Sequence, residues 1–156
     1  MDQMQYSQSG LHLTEQFEGC KLSAYPDSNN VPTIGYGHTK GVQLGMVCTQ
    51  TQAGAWLDED VAWAGSEVNR LVTVPLTQPE FDALVDFTFN CGCGNFDHSH
   101  LLALVNQGDM QAAAQEFDKW DKCGGQVMAG LLRRREAEQS EFDSSADPSE
   151  LATVGQ

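Results

Sequence analysis

The spacing of apolar residues changes at Thr49, and this change limits the folds open to the chain. Residues 20–45 contain a turn-forming cluster at 25–30, a short β-prone run at 31–36 and glycines at 35, 37, 41 and 45. That stretch predicts a small twisted sheet of short strands. From Thr49 onward the apolar residues advance by three and four along the chain, which is the period of a helix.

Helices are predicted on both sides of the sheet. Leu13 and Phe17 lie four apart just ahead of a glycine, so a first helix should end at Glu18. Thr77 and Glu80 have the spacing of a capping box, which predicts a helix start. The order of one helix, a small sheet and then a helical bundle predicts an α+β fold with the sheet to one side. The predicted helices are residues 9–18, 49–71, 78–90, 99–106, 109–121 and 127–142.

The chain is strongly acidic, with 22 Asp and Glu against 8 Lys and Arg and a net charge of −14. Non-specific binding to nucleic acid is disfavoured, because a net anion cannot release the counterions of phosphates. Attachment to anionic membranes through basic clusters is disfavoured for the same reason. Residues 136–156 contain acidic side chains and no basic ones, so we expect a domain over 1–143 and a frayed acidic tail over 144–156.

No stretch approaches the roughly 20 apolar residues of a membrane-spanning helix, so no membrane anchor is predicted. Residues 1–10 are polar and lack the pattern of a secretory signal, which predicts synthesis in the host cytoplasm. Cys91 and Cys93 precede His98 and His100, but their spacing is not that of a known zinc finger. We therefore predict no metal and no cofactor, and we expect the cysteines to be thiols in a reducing compartment.

Glu18 stands out among the acidic residues because it ends a helix with an apolar face. At that end the helix dipole is negative, and neighbouring apolar side chains disfavour the charged form. A carboxyl group that stays protonated near neutral pH is what a general acid requires. The alternative is a solvated charge at a helix end.

Asp27 lies in a polar turn, where water and backbone N–H groups favour the charged carboxylate. Thr33 follows six residues later with a hydroxyl that can bind water. A protonated and an ionised carboxyl group facing each other across a groove can cleave a glycosidic bond. Asp27 could equally be an ordinary turn former.

Two segments carry a resemblance to a known family. Residues 17–27 and 32–39 place Glu18, Asp27 and Thr33 at intervals of eight and then five intervening residues. This pattern resembles the signature of the phage-type lysozymes, glycoside hydrolase family 24. The resemblance continues through residues 81–90, 101–109, 124–125 and 130–138, and it covers about residues 9–143.

The resemblance implies a lysozyme-like fold, with a small β lobe and a larger helical lobe flanking a substrate cleft and joined by the long helix at 49–71. It implies hydrolysis of the β-1,4 bond between N-acetylmuramic acid and N-acetylglucosamine in the glycan strands of peptidoglycan. Glu18 would protonate the leaving oxygen, while Asp27 and Thr33 would position and activate the attacking water. The family's best-studied behaviour is inversion, which requires a wide separation between the carboxyl groups.

Four further residues receive supporting roles from the resemblance, each with an alternative. His38 would support the active-site loop by hydrogen bonding, with a catalytic histidine as the alternative. Arg134 would pair with Glu18 or hold the helix that bears it, although residues 133–135 could also form a basic helix face. Tyr36 and Asn90 would contact sugar through stacking and amide hydrogen bonds, with core packing and a helix-end role as the competing interpretations.

Three functions remain open at this point. The first is a phage endolysin, a monomer that needs a holin or another export route to act on the wall in the periplasm. The second is a lysozyme-fold module that binds glycan without cleaving it. The third is a lytic transglycosylase, against which Asp27 and Thr33 argue because that reaction needs no positioned water. The acidic charge predicts low activity from outside the cell.

Overall fold

The computed structural model describes residues 3–123 and 125–144. The chain divides into two compact units, and the divisions fall inside α1 (Gln8–Glu18) and α2 (Gln50–Leu71). The β unit comprises residues 11–63, and the helical unit comprises residues 1–10 and 64–156. The predicted acidic tail at 144–156 lies outside the described residues except for Ser144, which follows the last helix.

The β unit contains an antiparallel hairpin of two short strands, β1 (Lys21–Pro26) and β2 (Pro32–Gly35). Tyr25 pairs with Thr33 and Pro26 with Pro32, and the register is irregular between Lys21 and Tyr25. An isolated bridge between Ser23 and Val47 adds a third segment to one edge. The predicted sheet of short strands is therefore present.

The helical unit is built around α3 (Gln78–Cys91), which packs against α7 (Ala129–Asp143). Thr77 caps α3 by accepting from the Glu80 backbone, and the Glu80 carboxylate accepts from the Thr77 backbone N–H, which confirms the predicted capping box. Every residue from 80 to 88 is buried. Gly92 ends α3 at a φ of 98°, a conformation that favours glycine.

The remaining elements of the helical unit are short. They are α4 (Cys93–Asp97), α5 (His100–Asn106), α6 (Met110–Ala114), a 3-10 turn (Phe117–Lys119), and a hairpin of β3 (Lys122–Cys123) and β4 (Gln126–Val127). Phe87 of α3 meets Phe96, Phe117 and Trp120 edge to face, with ring centroids 5.5 to 6.1 Å apart. These contacts gather the short elements around α3.

The predicted helix over 109–121 is wrong in its second half. α6 ends at Ala114, and the chain tightens into the 3-10 turn, in which the Trp120 N–H donates to the Phe117 carbonyl. Phe117 remains fully buried, so the apolar spacing continues although the α-helix does not. The β3–β4 hairpin and α4 were not predicted, because elements of two to five residues are too short to show a period.

Residues 4–7 are held to the helical unit by three side chains. The Asn69 amide both accepts from the Met4 N–H and donates to the Met4 carbonyl, at 3.0 Å each. The Gln78 amide donates to the Gln5 carbonyl, and Asp82 accepts from the N–H and hydroxyl of Ser7. Burial raises the pKa of Asp82 above its usual value, although these donors oppose the rise. The start of α1 is thereby fixed.

Candidate active site

Glu18 is the last residue of α1, as predicted. Gly19 follows at a φ of 66° and donates its N–H to the Glu15 carbonyl, so the chain turns sharply away from the helix. Glu18 is half-buried and is engaged by other groups of the protein. A Cβ atom on Gly37 would lie 3.5 Å from Glu18 Oε1, which places the carboxyl group beside the loop that follows β2.

Asp27 organises the turn between β1 and β2. Its Oδ1 accepts from the backbone N–H groups of Asn29 and Val31 at 2.8 and 2.9 Å. Two such donors fix the rotamer of the side chain. Within the described parts of the chain, Oδ2 accepts no hydrogen bond and can therefore bind water.

Thr33 lies on β2 with only 4% of its surface exposed. Its hydroxyl donates to the Val31 carbonyl at 2.8 Å, so the oxygen keeps its lone pairs for a water donor. The peptide groups of Val31 thus bind both Asp27 and Thr33, which ties the two side chains to one turn. That Glu18 and Asp27 face each other across a groove stays a prediction.

His38 lies in the loop that follows β2, and it is buried. Its backbone exchanges two hydrogen bonds of 2.9 Å with Ile34, and its Nδ1 lies 2.8 Å from Asp60 Oδ2. The ring stacks on Trp56 with centroids 4.7 Å apart and planes 5° from parallel. Asp60 and Trp56 were not predicted, because they lie on α2 far along the sequence. Only their spacing of four on one helix face could have indicated that they share a partner.

Tyr36 is 8% exposed, and its hydroxyl accepts from the Gln50 amide at 2.5 Å. Burial and the negative charge of Glu15 raise the pKa of the phenol above its usual value. Little of the ring is open to stacking, which favours the core-packing interpretation. The sugar contact of Tyr36 stays a prediction.

In the helical unit, Arg134 forms a two-pronged ion pair with Asp86. Arg134 Nε donates to Oδ2 at 3.0 Å and Nη2 donates to Oδ1 at 2.9 Å. Arg134 is 4% exposed and Asp86 fully buried, so the interpretation of residue 134 as part of a solvated basic face is wrong. The pairing of Arg134 with Glu18 stays a prediction.

Arg135 and Glu138 are both fully buried beside this pair, and sequence reasoning identified neither. Arg135 Nη2 donates to Glu138 Oε2 at 2.8 Å and to Asn90 Oδ1 at 2.9 Å. Burial raises the pKa of Glu138 well above its usual value, and the neighbouring Asp86 carboxyl group raises it further. Asp82 and Asp86 interrupt the otherwise apolar face of α3, and that interruption was the one available indication of buried acids.

Cys20, Cys48, Cys91 and Cys93 are free thiols. Among residues 3–123 and 125–144, no group of three or more His, Cys, Asp or Glu side chains is arranged to hold a metal ion. In the same part of the chain, no helix is long and apolar enough to cross a membrane.

An α+β fold with an acidic side chain closing the first helix, and a carboxylate and a hydroxyl on the hairpin that follows, is the arrangement of a lysozyme-type glycosidase. The family model described as phage lysozyme matches residues 15–138, and the chain belongs to that family.

Relatives at the level of whole proteins agree with the family. The chain is 41% identical to an endolysin of Acyrthosiphon pisum secondary endosymbiont phage 1, over 91% of this chain and all of that protein. It is 44% identical to an endolysin of Bacillus phage PZA over 90% of this chain, but it spans only 56% of that longer relative. The structure of a mutant P22 lysozyme superposes with a TM-score of 0.85 at 39% identity, covering 90% of this chain and 99% of that one.

Proposed function

We propose that this protein is an endolysin that hydrolyses the β-1,4 bond between N-acetylmuramic acid and N-acetylglucosamine in peptidoglycan. The observation that carries the proposal is the position of the Glu18 carboxyl group beside the loop that follows β2. Thr33 lies on β2 itself. Asp27 belongs to the same hairpin, so all three side chains come from one continuous piece of the β unit.

Glu18 is the general acid in this proposal. Its half-buried carboxyl group lies at the end of α1, and in its protonated form it can deliver a proton to the leaving glycosidic oxygen. As the bond breaks, positive charge develops on the sugar ring and the carboxylate of Glu18 is left behind. A water molecule then attacks the sugar carbon, and no covalent bond forms between the sugar and the protein.

Asp27 and Thr33 hold and activate that water. Asp27 Oδ1 is occupied by two backbone donors, whereas Oδ2 is available to accept a proton from the water. The Thr33 hydroxyl donates to the Val31 carbonyl and therefore presents acceptor lone pairs. Two acceptors of fixed position orient one lone pair of the water toward the sugar carbon.

A module that binds glycan without cleaving it has no need of an ordered turn that frees one carboxylate oxygen. A lytic transglycosylase would need no positioned water. Both alternatives are therefore less well supported by Asp27 and Thr33 than hydrolysis. We also propose that the protein acts as a monomer on the wall after a holin or another route releases it, and that Arg134 supports Glu18.

Glu18→Gln tests the proposal, with Glu15→Gln on the same helix as the matched control. Clearing of purified peptidoglycan should fall by at least about 100-fold for Glu18→Gln, because general acid catalysis contributes that much or more. The control should stay within about twofold of the wild type. Both variants should give the same far-ultraviolet circular dichroism. Undiminished clearing by Glu18→Gln would overturn the assigned role.

A further inference from the structure

Two segments of the β unit run side by side next to Glu18. Lys21 pairs with Gly35 in the ladder between β1 and β2. In an antiparallel ladder the residue before one partner faces the residue after the other, so Cys20 is expected opposite Tyr36. The side chains of Cys20 and Tyr36 do form a hydrogen bond with each other. This contact joins the two segments just beyond the end of the ladder.

The Tyr36 hydroxyl takes part in two hydrogen bonds with different roles. It accepts from the Gln50 amide at 2.5 Å, and Gln50 is the first residue of α2. A phenol has a single proton, which remains available for the Cys20 sulfur, a weak acceptor. Burial raises the pKa of both the Cys20 thiol and the Tyr36 phenol, so both groups are neutral at neutral pH. The hydroxyl thus connects the start of α2 to the turn that follows α1.

The loop that carries Tyr36 is closed at both ends. Ile34 and His38 exchange two backbone hydrogen bonds of 2.9 Å. Tyr36 lies between two glycines of positive φ, at positions 35 and 37, and its own side chain is 8% exposed. Because the glycines have no side chains, the Tyr36 side chain is what anchors the middle of the loop.

The Glu18 carboxyl group lies against the next residue of this loop. A Cβ on Gly37 would be 3.5 Å from Glu18 Oε1, so the carboxyl group is close to the loop backbone. Gly19 turns the chain away from α1 at a φ of 66°, and Cys20 follows directly. The contact between Cys20 and Tyr36 therefore holds both the turn after Glu18 and the loop beside its carboxyl group. A displacement of about 1 Å at a catalytic group can cost about 100-fold in rate.

We propose that Tyr36 and Cys20 are positioning residues, and that their hydrogen bond holds the Glu18 carboxyl group in place against the loop that follows β2. This inference rests on the proposed function of Glu18 as the general acid. In this role neither residue touches the glycan. Loss of the hydrogen bond should therefore lower kcat and leave KM unchanged, because proton transfer depends on the position of the acid whereas glycan binding does not.

Tyr36→Phe removes the hydroxyl and keeps the aromatic ring. We expect kcat on purified peptidoglycan to fall at least about fivefold, with KM within about twofold of the wild type. Far-ultraviolet circular dichroism should match that of the wild type. An unchanged kcat would overturn the proposal. A raised KM with an unchanged kcat would also overturn it, since the hydroxyl would then contact the glycan.

Three cysteine variants test the other partner, and they replace Tyr36→Phe if that variant does not fold. Cys20→Ala removes the sulfur and should lower kcat severalfold. Cys20→Ser restores an acceptor for the Tyr36 hydroxyl and should bring kcat to within about twofold of the wild type. Cys48→Ala removes another half-buried free thiol of the β unit and is the matched control, with no change in kcat expected. Equal losses for Cys20→Ala and Cys20→Ser, or for Cys20→Ala and Cys48→Ala, would overturn the proposal.

Coupling tests whether the two residues act through one contact. Tyr36→Phe combined with Cys20→Ala should have a kcat no lower than that of Tyr36→Phe alone, because both changes remove the same hydrogen bond. Losses that multiply would show that the residues act separately and would overturn the proposal. If Glu18→Gln retains clearing, the proposed function itself fails. If Glu18→Gln is inactive while Tyr36→Phe keeps the wild-type kcat, only this inference fails.

Discussion

The ion pair between Arg134 and Asp86 gives the sharpest prediction about stability. Asp86 is fully buried and Arg134 is 4% exposed, and two hydrogen bonds of 2.9 and 3.0 Å join them. Asp86→Leu would leave the guanidinium charged, buried and without this partner. Losing one member of such a pair costs about 3–5 kcal/mol, a large part of a typical free energy of unfolding of about 5–15 kcal/mol.

The assay is urea unfolding followed by circular dichroism at neutral pH. We expect Asp86→Leu to lower the free energy of unfolding by about 3–5 kcal/mol and the melting temperature by about 10 °C. The double change Asp86→Leu with Arg134→Met should cost about 1 kcal/mol, since both members of the buried pair are then replaced by apolar groups. The control Asp118→Asn, at an exposed position, should change the free energy of unfolding by less than about 0.5 kcal/mol. Additive losses in the double variant would refute the reasoning.

Three further predictions concern pH, backbone strain and salt. Glu138 has a raised pKa in the folded state, so between the ordinary and the raised value only the folded protein holds the proton, and stability falls as pH rises through that window. Glu138→Gln mimics the protonated form, so its stability relative to the wild type should increase with rising pH, by at most about 1.4 kcal/mol per pH unit. Urea titrations at several pH values measure this difference, and a difference that stays constant would contradict the prediction. Gly37 adopts a φ of 90° beside Glu18, so Gly37→Ala should lower the free energy of unfolding by about 1–2 kcal/mol. It should also lower the clearing of peptidoglycan more than Gly54→Ala on α2 does. Equal clearing by the two variants would argue against this prediction. Clearing should tolerate or increase with moderate added salt, because screening weakens repulsion between the acidic protein and anionic wall polymers, and a steep loss of clearing would oppose that explanation.

Sequence patterns predicted the helix ends and turns that are determined by the side chains at those positions. The capping box at Thr77 and Glu80 fixed the start of α3, and the glycine after Glu18 fixed the end of α1. The turn at Asp27 was predictable because an Asp side chain can accept from backbone N–H groups within its own turn. Such local rules need no knowledge of the rest of the fold.

Tertiary packing decided the features that the sequence did not reveal. Three consecutive arginines on a helix point about 100° apart, so burial of Arg134 and Arg135 depends on how α7 packs against α3. Asp60 is 22 residues from His38, and no local rule joins them. The helix predicted over 109–121 stops at Ala114 without a glycine or proline. We attribute this stop to the tighter turn that follows, in which Phe117 is fully buried in the core.

Hydrolysis in water enriched in oxygen-18 tests the central claim most directly. If Asp27 and Thr33 position a water for attack while Glu18 protonates the leaving oxygen, mass analysis of digested peptidoglycan should find reducing-end muramic acid that carries the heavy oxygen. The Glu18→Gln protein should release none of this product above background. Anhydro sugar ends without the label would contradict the account, since they form when no water attacks.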